Sequence, residues 1–332
     1  MNLLRRPILL LLVAALLFGA AGCTARAQSP AQPNYQAPPT YDYRDDEVEE
    51  VRAPTPAPLP PLEEEPEPEF EPEAEAVARV RNPDFGAISQ LDDNAHGWGH
   101  GGPVDDRNRS TGALLFQNRY GHLDAHFIKP DSEQIYLTFD QGYEYGFTPV
   151  ILDTLLDRGV PGAFFLTMHF VRDHPDLVQR MIDEGHVLAN HSVRHLRFPE
   201  MTLQDAIDDV MELHDYVLEN FGYDMHLFRF PEGVFNEQTL ALMQSLGYTS
   251  VFWSFAYRDW ELDNQPLTID AINLMVTRAH PGAIYLLHSV SRTNSEVLDE
   301  VIDLLKAEGF EFGLLDLPAP QAEPAPTLRS NG

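Results

Sequence analysis

The chain has 332 residues, 52 acidic side chains against 22 basic ones, a formal net charge of −30 and one cysteine. One cysteine excludes an internal disulfide framework and a cysteine-based zinc cluster. The charge excludes nucleic acid as a partner and electrostatic docking on anionic lipid, because both need a basic footprint.

The first element is an export signal. Arg5 and Arg6 form a basic start, and Ile8 to Ala21 is an apolar run. It is short for a membrane span of ~20 residues but suited to the core of a signal peptide. Ala20, Ala21 and Gly22 then lead to Cys23. Residues 1–22 resemble a bacterial lipoprotein signal, with Cys23 as the lipidated new N terminus anchoring the protein to the membrane on its extracytoplasmic side. An ordinary cleaved signal, giving a secreted or periplasmic protein, is the alternative. Residues 23–80 read as a disordered acidic, proline-rich linker: 12 of the 27 prolines fall in 24–80, and 41–75 holds 14 acids against two arginines. Such a segment has too little apolar surface to offset its ordering entropy. Fully extended it spans roughly 180 Å.

Residues 81–317 have globular composition, and 318–332 form a second polar tail. Within the globular part, apolar strands alternate with amphipathic helices. IYLTFD (135–140) precedes a helix over 148–158, and GAFFLT (162–167) precedes a helix over 173–184. VLANH is followed by a long helix from the N-cap Thr202 to about Phe221. LFRF (227–230) precedes a helix over 236–246, TSVFWSF (249–255) a helix near 268–279, and GAIYLLH (282–288) a helix over 294–308 before FEFGLL. Glycines 159, 185, 247 and 309 stand just past helix ends, as left-handed C-caps do. The alternation predicts an α/β parallel sheet, open or closed into a barrel, with chemistry at the C-terminal ends of the strands.

Those strand ends carry Asp140, His191 with His195, Arg229, Asp259 and His288. Two imidazoles four residues apart in HSVRH can face one ion. A metal-bound water, an ionised Asp to take its proton, a separate His to protonate the leaving group and an Arg to fix the Asp make up what metal-assisted hydrolysis of an amide or ester needs. His96 and His100 in HGWGHGG read as loop residues, and FFLTMHF (164–170) as core plus a loop wall.

TFDQG, HSVRH, RFPEG, RDW and YLLH, in this order over residues 134–317, resemble the motifs of the polysaccharide deacetylases, the NodB-homology fold of carbohydrate esterase family 4. TFDQGYEYG, RFPEGVFNE, SFAYRDW and HPGAIYLLHSVSRTN are similar to the branch of N-acetylmuramic acid deacetylases that leads to muramic delta-lactam. WGHGG (98–102) sits where that branch has an N-terminal extension. The resemblance implies a distorted (β/α) barrel, a divalent metal (zinc, manganese or cobalt) and a monomer acting on peptidoglycan or a related N-acetylated glycan. It implies Asp140 as general base, His288 as general acid, and His191, His195 and Gln141 as metal ligands. Ser192 would brace the histidine loop, and Arg229 would orient Asp140 with Asp259 holding Arg229. Leu287 and Trp260 would shape the acetyl pocket, and the Glu232 N–H would serve the oxyanion. Gln141 replaces the acid of TFDDG, and Glu232 stands where the branch has a basic residue. Two alternatives stand beside this reading: a deacetylase of chitin-like or exopolysaccharide substrates, and a glycan-binding module with weakened catalysis.

Overall fold

The computed structural model describes residues 83–99 and 102–315. The signal, Cys23, the linker, His100 and the tail lie outside the described residues. No helix among the described residues is long and apolar enough to cross a membrane.

The segment before residue 135, where the sequence pattern marks no elements, supplies α1 (Phe85–Ile88), β1 (His96–Gly97), α2 (Thr111–Tyr120) and β2 (Ala125–His126). The alternating unit follows: β3 (Tyr136–Gln141), α3 (Thr148–Arg158), β4 (Gly162–Leu166), α4 (Met168–Asp173), α5 (Pro175–Asp183) and β5 (Val187–Asn190). Next come α6 (Leu203–Phe221), β6 (Leu227–Phe228), β7 (Val234–Phe235), α7 (Glu237–Ser245) and β8 (Thr249–Val251). The chain ends with β9 (Phe255–Ala256), α8 (Thr268–Thr277), β10 (Ile284–His288) and α9 (Arg292–Ala307). The caps explain the boundaries. Gly159 ends α3 at φ 62°. Thr202 Oγ1 accepts the Asp205 N–H to start α6, and Asn236 forms a capping box for α7. The helix expected over 173–184 begins at Pro175, which occupies its first turn, and a separate short helix precedes it. FEFGLL contributes only an isolated bridge, Phe312 to Ile135.

Eight strands form one parallel sheet in the order β2-β8-β6-β5-β4-β3-β10-β9. Strands β3, β4 and β5 are buried along their whole length, as parallel strands covered on both faces are. The single strand expected over 249–255 is instead two. β8 pairs near one end of the sheet and β9 pairs at the other, and only Phe252, Trp253 and Ser254 separate them. One kinked segment therefore joins both edges and curls the sheet into a distorted barrel. The kink takes carbonyls out of the ladder, and a buried carbonyl needs a donor. Arg229 donates to Val251 O at 3.0 Å and to Phe252 O at 3.2 Å, and the Trp98 indole N–H donates to Trp253 O at 2.9 Å. Phe127 stacks on Phe252 at 4.2 Å, with Phe230 and Phe235 around them. Each such ring contributes roughly 1.5–3 kcal/mol by burial.

Trp98 belongs to the WGHGG stretch. β1 pairs antiparallel with β7, and Trp98 N–H donates to Gly233 O. The N-terminal segment is thereby fixed to the RFPEG loop. Gly233 has φ +66°, and a Cβ there would meet the Trp253 ring and Trp98 O, both at 2.8 Å. His96 is not in a loop as expected but in β1, with its ring against Tyr120 and Phe235.

Candidate active site

Register sets the centre of the site. Asp140 and His288 are direct partners across β3 and β10. Paired residues of parallel neighbours project to the same face, so the last turns of these strands place a carboxylate beside an imidazole. Both line a cavity of about 430 Å3 together with His191, His195, Trp260, Thr167, His169, Tyr143 and Arg194.

Each of the two is held by its own partner. Arg229, on the residue after β6, is fully buried and donates from Nη1 to Asp140 Oδ1 at 2.7 Å. Its guanidinium carbon lies 3.9 Å from the centroid of the Phe165 ring. Burial acts to raise the Asp140 carboxyl, but the charges of Arg229 and His288 and the Arg229 hydrogen bond outweigh it, holding it below the ordinary carboxylate range. Asp259 accepts His288 Nδ1–H through Oδ1 at 2.8 Å and the His288 backbone N–H through Oδ2 at 2.8 Å. Asn294 donates to the same Oδ2 at 2.7 Å and is itself bonded by the Tyr257 hydroxyl. Burial acts to lower the His288 imidazole, and the charge and hydrogen bond of Asp259, with Asp140, raise it above its ordinary value. With Nδ1 on Asp259, Nε2 is the nitrogen left to exchange a proton. The expectation that Asp259 holds Arg229 is thus corrected. Arg229 is filled by Asp140 and the two kink carbonyls, whereas Asp259 holds His288.

The histidine loop is set by backbone geometry. Ser192 and His195 lie at φ 72° and 53°, conformations that cost a non-glycine residue roughly 1–2 kcal/mol each. Three contacts compensate. Asn190 Oδ1 accepts Ser192 N–H at 2.8 Å, Ser192 Oγ accepts His195 N–H at 2.9 Å, and the buried Asp209 on α6 accepts Val193 N–H at 2.8 Å. The His191 and His195 rings come to 4.9 Å between centroids. His191 Nδ1 lies 2.9 Å from Arg229 O, where it donates, so Nε2 carries the lone pair. That Nε2 lies 3.4 Å from Asp140 Oδ2. Burial pushes the His191 imidazole down to about 4, so it is neutral and able to ligate a metal.

Other expected site residues stand elsewhere. Trp260 is half exposed, edge-on to His288 at 5.6 Å. Leu287 is fully buried and does not line the cavity. Glu232, at φ 56°, also lies off the cavity wall and accepts Arg197 Nε and Nη2 at 2.9 and 2.6 Å. Gln141 is fully buried off the wall, donating to Ser289 Oγ at 2.6 Å, while its Oε1 has no partner among the described residues. The sequence reading missed Asn294, Asn190 and Asp209, whose side chains fix site residues from behind, and Tyr143 on the wall; the loop wall expected in FFLTMHF is supplied by Thr167 and His169. Strand-end position pointed to the first rank of residues, but nothing in the local pattern marks a helix residue that reaches a loop.

Among the described residues no three His, Cys, Asp or Glu side chains are grouped to hold a metal ion. Two imidazoles with an adjacent carboxylate nevertheless fit a divalent metal that takes water as its further ligands. Gln141, expected as a ligand, stands apart from them, off the cavity wall with its amide on Ser289 Oγ.

Comparison with known proteins agrees with this geometry. A family model described as polysaccharide deacetylase matches residues 128–251. The peptidoglycan-N-acetylmuramic acid deacetylase PdaA of Bacillus subtilis (strain 168) is 42% identical over 221 residues, covering 66% of this chain and 84% of the relative. The peptidoglycan-N-acetylglucosamine deacetylase PgdA of Listeria monocytogenes serotype 1/2a (strain 10403S) is 30% identical over 185 residues, covering 56% of this chain and 38% of that one. The structure of Bacillus subtilis PdaA, a family 4 carbohydrate esterase, aligns with a TM-score of 0.65 at 39% identity, covering 68% of this chain and 97% of that chain. The chain belongs to the polysaccharide deacetylase family, carbohydrate esterase family 4.

Proposed function

We propose that this enzyme removes the N-acetyl group from N-acetylmuramic acid in peptidoglycan, using a divalent metal bound by His191 and His195, with water completing the ligands. The observation that carries the reading is the Asp140–His288 pair, set side by side by register, with a separate counter-group behind each member. The muramic acid substrate rests on the similarity to PdaA at 42% identity.

Asp140 is ionised, and Arg229 holds its Oδ1, so Oδ2 takes a proton from the water whose oxygen bonds to the acetyl carbon. His288, kept protonated by Asp259, delivers its Nε2 proton to the sugar nitrogen as the C–N bond breaks. The products are the free amine and acetic acid, which ionises to acetate, and transfer of the proton on Asp140 to His288 returns the pair to its starting state. A divalent metal, when bound, polarises the acetyl carbonyl and supports the attacking water. Trp260 stands edge-on to His288 and narrows the approach to it.

We also place the enzyme outside the cytoplasm, held by lipidated Cys23, with 23–80 as a spacer, 81–317 as the catalytic domain and 318–332 as a tail. This placement rests on the signal-like residues 1–22. Radiolabelled palmitate incorporated by the wild type and not by Cys23→Ala supports it; label in neither removes the anchor.

The activity is tested by acetate release from three substrates: glycan strands stripped of stem peptides, intact peptidoglycan and chitin oligomers, each with added Zn²⁺, Mn²⁺ or Co²⁺. Release from the stripped strands, lost in Asp140→Asn and His288→Ala, is the expected result. Release from chitin oligomers alone would reassign the substrate, and no release from any would overturn the reading.

A further inference from the structure

Among the described residues, Arg194 is the one arginine or lysine lining the cavity that holds Asp140, His191, His195 and His288. Its neighbours in the loop, Ser192 and His195, both have left-handed backbone, so its position is set by the turn that sets the two imidazoles. Asp209 on α6, almost completely buried, accepts Arg194 Nε–H at 2.7 Å while also accepting Val193 N–H. No other hydrogen bond to this guanidinium forms among the described residues, so both terminal nitrogens remain available. The side chain is half exposed, as a group meeting a ligand at a cavity rim must be. Arg197, three residues on, is different: its fork is filled by Glu232. Arg229 is buried and fully engaged.

We propose that Arg194 is a specificity-determining residue that binds the carboxylate of the lactyl ether on the sugar being deacetylated. The inference rests on the muramic acid reading above and deepens it. N-Acetylmuramic acid differs from N-acetylglucosamine by this lactyl ether. Its carboxylate is free when no stem peptide is attached and is an amide when one is. A guanidinium with two open N–H groups matches a carboxylate in a planar fork and loses most of that interaction with an amide or with a plain hydroxyl.

The test uses the full chain with metal supplied and two substrates: glycan strands stripped of stem peptides, and the same strands with the lactyl carboxylate converted to its methylamide. The quantity read is the ratio of kcat/KM for free carboxylate over amide. The wild type should favour the free carboxylate. Arg194→Gln should reduce the ratio by about 10- to 100-fold, the range expected for one charged hydrogen-bonded contact, with Arg194→Lys between the two. The wild-type ratio should also shrink as NaCl is raised, since the contact is half exposed. An unchanged ratio in Arg194→Gln, or an equal loss on both substrates, would show that Arg194 only shapes the loop and would overturn the assignment. Equal wild-type activity on both substrates would remove the role of Arg194 and leave the deacetylase reading standing. No acetate from either would remove both.

Discussion

Replacing Arg229 with methionine separates what the buried ion pair does for stability from what it does for chemistry. Methionine fills much of the volume but leaves Asp140 as a buried carboxylate without its hydrogen-bonded partner, and leaves Val251 O and Phe252 O without donors. Breaking a buried pair from one side costs about 3–5 kcal/mol, and each orphaned carbonyl adds ~1–3 kcal/mol unless water reaches it. Taking the lower bound of 3 kcal/mol, and ~2–4 °C per kcal/mol for a domain of this size, Arg229→Met should unfold at least about 6 °C earlier by circular dichroism. Acetate release should be abolished. In the wild type the Asp140 carboxyl is held below the ordinary carboxylate range, so its stabilisation is present above that range and is lost as pH falls through its folded value. In Arg229→Met burial raises the same carboxyl, so the stability deficit is largest near neutrality and narrows as the solution is acidified. The decisive measurement is the double variant Arg229→Met, Asp140→Asn. If the uncompensated charge is the cause, the double variant is more stable than the sum of the two single losses requires. Strict additivity, or a deficit that does not change with pH, would refute the charge account.

Asp259→Asn keeps the shape of the side chain and removes the charge that raises the His288 imidazole. The alkaline limb of the kcat/KM profile should move to lower pH, and an unmoved limb contradicts the pairing. Chelation with EDTA should stop acetate release and a divalent metal should restore it. His195→Ala should raise the metal concentration needed for half-recovery, and unchanged metal dependence argues against His195 as a ligand. Gly233→Ala forces a Cβ within 2.8 Å of both the Trp253 ring and Trp98 O at φ +66°. The left-handed backbone and the overpacking together cost about 2–5 kcal/mol, and a thermal midpoint within about 2 °C of wild type would show that the loop yields.

The strands with continuous apolar runs were legible because burial on both faces writes itself into every residue, as in Tyr136–Gln141 and Gly162–Leu166. Helix ends were legible where a cap states them, at Thr202, Asn236 and Gly159. The break between Val251 and Phe255 was not, because the residues there are as apolar as those of a straight strand. What bends them is a set of distant donors, Arg229 and Trp98. The same limit governs the site. Asp140, His191, His195, Trp260 and His288 follow strands and meet at one cavity. The partner of each is a matter of three-dimensional packing, which is why Asp259 serves His288 and not the Arg229 that the resemblance implies. Gln141 neighbours Asp140 in sequence, but successive strand residues face opposite ways, and its amide turns to Ser289.

The kinked segment has a kinetic consequence. Its ends pair with β2 and β6 on one side and β10 on the other, and Arg229 bridges its carbonyls to a carboxylate 89 positions away in the chain. Contacts so distant in sequence are slow to form, because loop closure precedes any gain from them. The helices and the β3-β4-β5 ladder are local enough to assemble first. The contacts that close the sheet, β3 with β10 and Arg229 with Asp140, therefore form late on refolding, and hydrolysis should return in a slower phase than far-ultraviolet ellipticity. A molecule that has regained its secondary structure but not its seam is folded by most optical criteria and still silent as an enzyme.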